Sequence, residues 1–174
     1  MQQAVTTTTT KGVVIALILI VIALATYFLN LSENSVVRYI SFAIFIAGII
    51  WSVTSYGKQI DYNSTFGNYF THGFKVAALV TCIMIIYVII FATLFPEMKE
   101  KAIEATRNGM EAKGNLSQEQ ITQALSITQK FFMVLMIAGT LFGYLIFGAL
   151  ASLIGAGITK RNPQAFENEI NQIG

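Results

Sequence analysis

The side chains best suited to chemistry gather in one short stretch. His72 is the only histidine of the chain, Asp61 precedes it and Lys75 follows it. An imidazole changes charge near neutral pH, and ionisable groups beside a membrane helix commonly mark ion or proton paths. The three residues would therefore form a titrating polar cluster at the mouth of a membrane segment; the same residue types also serve as plain interfacial flanks of a span. The rest of the inventory is thin. Cys82, the sole cysteine, lies in an apolar run and reads as a small hydrophobe, with no second thiol for a disulfide. One His and one Asp do not make a transition-metal set. No strand is expected, so no glycine-rich phosphate loop can follow one. With no convergent acid, base and nucleophile, the chain reads as non-enzymatic, without cofactor or metal.

The elements that must position these residues are membrane helices. The 174 residues are 55% hydrophobic and only 11% charged, and the mean hydropathy is +0.64; an average soluble domain is about 25% charged. A net charge of +2 without any basic block excludes nucleic acid as a partner. Four uncharged or nearly uncharged runs are long enough to cross about 30 Å of hydrocarbon, at about residues 12–29, 36–56, 75–95 and 131–159. The fold class is thus all-α, a polytopic membrane protein with four transmembrane helices. Residues 1–11, with the run Thr6 to Thr10, read as a disordered cytoplasmic tail, and 162–174 as a second tail. Ala23 and Ala25 resemble a signal-peptidase site, but the apolar run continues to Leu29, so the first run reads as an uncleaved span. Arg38, Tyr39, Trp51 and Tyr56 sit toward the ends of the second span, as interfacial anchors do.

Between the second and third spans, Tyr62, Phe66, Tyr69 and Phe70 make an aromatic stripe at helical spacing, which predicts a short interfacial helix with Ser64 as N-cap. The fourth span is rich in small residues: Gly139 and Gly143, then Gly148, Ser152 and Ala156, recur at intervals of four, as helix-packing faces in membranes do. Ser41, Thr54, Thr81, Thr93, Thr140 and Ser152 are polar interruptions of the spans, each able to bond its own helix. One copy therefore shows no evident polar pathway; an oligomer could line one.

Residues 96–130 hold half of the charged side chains, five basic and five acidic. Pro96 opens this segment, Gly114-Asn115 is its turn, and Ser117 with Gln120 has the capping-box pattern. Met98, Ala102, Ala105, Gly109 and Ala112 predict one apolar seam; Ile121, Leu125, Thr128, Phe132 and Leu135 predict the facing one. The spacing thus predicts a helical hairpin that continues the third and fourth spans beyond the lipid. Glu97, Lys101, Glu104, Arg107, Glu111 and Glu119 would line its outward face, available to another envelope protein. Lys11, Lys58, Lys75, Lys160 and Arg161 flank the spans on one side and Arg38 alone marks the other short link, so the positive-inside rule puts both termini in the cytoplasm and the hairpin outside.

In its order of elements, Phe66, Phe70 and Gly73-Phe74-Lys75-Val76, then Phe95-Pro96-Glu97, Ser117 to Ile121, and a glycine-rich fourth span ending at Lys160-Arg161, the chain resembles a family of small four-helix membrane proteins of Bacteroidetes-type bacteria, known as a domain of unknown function. The resemblance covers about residues 11–161 and implies a bacterial inner membrane and a four-span fold, with no catalytic residues to carry over. The role expected is an accessory or scaffold subunit whose periplasmic hairpin contacts another envelope protein. The alternative is a small homo-oligomeric channel or transporter subunit. The partners are then the lipid bilayer, an envelope protein or a second copy.

Overall fold

A computed structural model describes residues 7–31 and 34–161, so residues 1–6 and 162–174, which hold part of the first expected tail and all of the second, lie outside the described residues. Six helices occur among the described residues: α1 Thr8–Phe28, α2 Ser35–Gln59, α3 Phe66–Leu94, α4 Glu97–Lys113, α5 Gln118–Lys130 and α6 Phe132–Ile158. Four of them, α1, α2, α3 and α6, are long and apolar enough to cross a membrane. The all-helical, four-span reading holds. The chain divides into two compact units, Met1–Ile83 with Phe142–Gly174, and Met84–Leu141.

Local capping explains where the helices begin. Thr7 is extended and its hydroxyl accepts from the Thr10 amide at 3.3 Å, so α1 starts at Thr8 and takes in residues expected to belong to the tail. Asn34 caps α2 by accepting from the Val36 amide at 2.9 Å. The expected separate interfacial helix is instead the first turns of α3, a continuous helix of 29 residues. No proline or turn residue pair interrupts the chain between Phe66 and Val76, and Gly73 is tolerated because it packs. The capping hydroxyl there is Thr65, accepting from Asn68 at 3.4 Å, rather than Ser64, which is buried. The link from α2 turns sharply through Asp61 and Tyr62, both left-handed (φ 50 and 59).

In the first unit the helices approach closely at small residues. A Cβ on Gly73 would lie 2.6 Å from Val53 of α2 and 2.7 Å from the Ser152 hydroxyl of α6, and one on Gly148 would lie 2.5 Å from the Ala77 Cβ of α3. Such approach gives backbone-level van der Waals contact where lipid removes the hydrophobic drive between helices. Larger residues fill the remainder: Phe45, Ile49, Val53, Val76 and Val80 are fully buried, and Phe45 meets Tyr144 edge-on at 4.9 Å.

In the second unit α4 packs on α5 through Ile103, Ile121 and Leu125, with Met110 partly buried against them. The α5 seam starts as expected. The α4 seam does not: Gly109 and Ala112 are exposed, because Ile103 and Met110, seven apart on one face, offer more apolar area than the alanines. Gly114 ends α4 in the left-handed conformation (φ 65). Ser117 and Gln120 form the full capping box, at 3.3 and 2.9 Å. Ser117→Ala is expected to cost the hairpin about 1 kcal/mol, read as faster amide exchange through α5 with the spans unaffected. The hairpin arms are not simple continuations of the spans. Pro96, without an amide hydrogen, separates α3 from α4, and Phe131 (φ -105) separates α5 from α6.

Candidate functional site

A buried polar cluster lies where α1, α2 and α3 meet in the first unit. Its centre is His72, whose ring stacks on Tyr56 at 4.2 Å with an interplanar angle of 4°. The imidazole Nε2 lies 3.2 Å from the Ser52 hydroxyl and Nδ1 lies 3.4 Å from the Thr8 hydroxyl. A neutral ring donates from one nitrogen and accepts at the other, and the two hydroxyls can rotate to match either tautomer. One turn into α1, Lys11 is only 1% exposed. Its Nζ donates to the Ser52 carbonyl at 3.2 Å and sits 6.0 Å from the Trp51 ring centroid.

Ser52 therefore couples the two ionisable groups, its hydroxyl meeting the imidazole and its carbonyl the ammonium. Among the described residues no carboxylate pairs with Lys11. An ammonium surrounded by apolar helices is costly unless its hydrogen bonds and charge are satisfied, and Lys11 has one carbonyl and the face of one ring. Tyr69, fully buried, packs edge-on against Tyr56 at 6.1 Å. Its hydroxyl makes no hydrogen bond among the described residues. The chemistry open to such an arrangement is proton exchange through imidazole and hydroxyls, or attraction of an anion; no set of three His, Cys, Asp or Glu could hold a metal among the described residues.

The polar cluster expected from the sequence is divided by the fold. His72 is buried, whereas Asp61 is exposed on the left-handed turn and Lys75 is exposed on α3, and no hydrogen bond or ion pair joins the three among the described residues. The partners that His72 does have, Thr8 and Ser52, and its neighbour Lys11 escaped sequence reasoning. Lys11 reads from the sequence as a flank of the first span, and Ser52 is not singled out by it; a hydroxyl beside Trp51 inside a span is the available signal.

Of the small residues, Gly148, Ser152 and Ala156 are buried, while a Cβ on Gly139 or Gly143 would meet nothing within 4 Å. The six hairpin residues Glu97, Lys101, Glu104, Arg107, Glu111 and Glu119 are all exposed. Cys82 is exposed on α3.

Compared with known proteins, residues 10–161 match the family model described as Protein of unknown function (DUF4199). No curated protein and no solved structure matches the chain.

Proposed function

We propose that this chain, which belongs to the DUF4199 family, is a non-enzymatic protein of a bacterial inner membrane whose hairpin of α4 and α5 contacts another envelope protein. The observation that carries this reading is the hairpin's construction. It has its own small core of Ile103, Ile121 and Leu125, and every charged residue proposed for contact is exposed. Over the short links alone, Lys11, Lys58, Lys75, Lys160 and Arg161 stand on one side against Arg38 on the other, and this favours cytoplasmic termini and a periplasmic hairpin.

A photo-crosslinking amino acid at Glu104 or Arg107, in the full chain in its native membrane, tests it. Both positions should yield an adduct with the same envelope protein, and Arg107→Glu with Glu104→Lys should weaken capture from neighbouring Glu111. Adducts with lipid alone, or with many proteins in proportion to abundance, would discard the docking role.

A second reading, a homo-oligomeric channel or transporter subunit, is favoured by one observation, the buried Lys11, Ser52 and His72 linkage. Intramembrane ionisable residues of this kind are most often retained for transport or coupling.

A further inference from the structure

The two helix breaks of the second unit lie side by side. Pro96 separates α3 from α4, Phe131 separates α5 from α6, and between them is a notch of about 220 Å³ lined by Ala92, Pro96, Lys99, Gln129, Lys130, Phe132 and Met133. Its lining changes character along the chain. Ala92, Phe132 and Met133 come from the apolar helices, Lys99 from the first turn of α4, and Gln129 and Lys130 from the last turn of α5. Because α4 and α5 run antiparallel, the start of one stands beside the end of the other and brings two lysines from different helices to one notch.

No carboxylate lines the notch. Glu97 and Glu100 share the first turn of α4 with Lys99 but stay outside it. Lys130 lies 5.5 Å from the centroid of the Phe131 ring, and the C-terminal end of α5 favours a cation there. The N-terminal end of α4 has no side-chain cap, and a helix start adds partial positive charge. Two lysines and a glutamine beside apolar side chains, at the level where the spans give way to the polar hairpin, complement an anionic amphiphile.

We propose that this notch binds the headgroup of an anionic phospholipid, its phosphate between Lys99 and Lys130 and its glycerol toward Gln129. A notch of about 220 Å³ is below the ~300 Å³ at which whole-ligand pockets begin. It therefore takes the phosphoglycerol group alone, with the acyl chains outside along the apolar helix ends, where Ile90, Leu94 and Val134 are exposed. The assignment goes beyond the docking role and needs only that α3 and α6 cross a bilayer.

The experiment is native mass spectrometry of the full chain in mild detergent, titrated with phosphatidylglycerol or with phosphatidylcholine of the same acyl chains. The unmodified protein should retain phosphatidylglycerol about tenfold better. Lys99→Gln with Lys130→Gln should abolish that preference, while Lys58→Gln with Lys113→Gln, the same loss of charge at other exposed lysines, should keep it. Circular dichroism melts of both double variants verify folding. Equal retention of the two lipids by the unmodified protein overturns the proposal, and so does equal loss of preference in the two double variants. Inorganic phosphate that binds without any lipid preference, and is lost in the Lys99/Lys130 variant, would reassign the notch to a soluble anion and also overturn it.

Discussion

Gly148→Ala is expected to destabilise the first unit by about 1 to 3 kcal/mol, and Gly148→Leu by more, in equilibrium unfolding in detergent. The added Cβ would sit 2.5 Å from the Ala77 Cβ, with the Phe45 ring at 3.4 Å. Ala77 and Phe45 are both fully buried, so neither can swing aside, and Ala77 has no rotamer to change. The strain must be relieved by parting α3 from α6. That motion loosens Gly73, which is wedged between Val53 and Ser152 a turn away along α3. The sharp form of the expectation is a double-mutant cycle: Ala77→Gly removes the opposing methyl and should restore most of what Gly148→Ala loses. Gly139→Ala and Gly143→Ala, with no atom within 4 Å of the new methyl, should instead be neutral or gain up to about 1 kcal/mol from helix propensity. Equal losses at all three glycines would mean that the close contact at Ala77 does not govern stability.

That contrast also shows what the sequence could convey. Gly139, Gly143, Gly148, Ser152 and Ala156 look alike as a spacing pattern, yet only the last three are buried within the chain. In a helix apolar on every side, the periodic contrast between wet and dry faces is missing, so spacing reveals a small-residue stripe without revealing where it meets a neighbour. Where side chains contrast strongly, local chemistry was readable: the capping box at Ser117, the left-handed Gly114 and the break at Pro96 all follow from residue types. The α3 start was misjudged for the opposite reason. Phe66 to His72 is too polar for a span and too apolar for a loop, and helix continuity through Gly73 was decided by packing against Val53 and Ser152. The buried cluster was half legible. His72 drew notice by its type, but Lys11 and Ser52 stand on other helices, and only the tertiary fold brings them to it.

Lys11→Met and Lys11→Glu should separate sharply. Methionine keeps nearly the length and volume of the lysine stem and removes a buried charge, so stability should stay within about 1 kcal/mol or rise. Glutamate places an acceptor against the Ser52 carbonyl that Lys11 now donates to at 3.2 Å, turning a hydrogen bond into a repulsion inside a nearly closed site. A loss of about 3 to 5 kcal/mol is expected, near the cost of leaving a buried charge uncompensated. Ser52→Ala falls between them at about 1 to 2 kcal/mol: the main-chain carbonyl still holds Lys11, while the imidazole Nε2 loses its hydroxyl. Thermal unfolding in detergent orders the three variants. The Met variant then decides what the lysine is kept for. A buried ammonium that can be replaced without loss of stability is not retained for the fold, so its cost must be offset by a task. If proteoliposomes of the unmodified protein conduct protons or a small anion and those of Lys11→Met do not, the task is transport, and the channel reading displaces the docking role. If neither conducts while hairpin crosslinking persists in both, the transport reading fails. A Lys11→Met variant that unfolds would instead make the ammonium a structural clamp between α1 and α2.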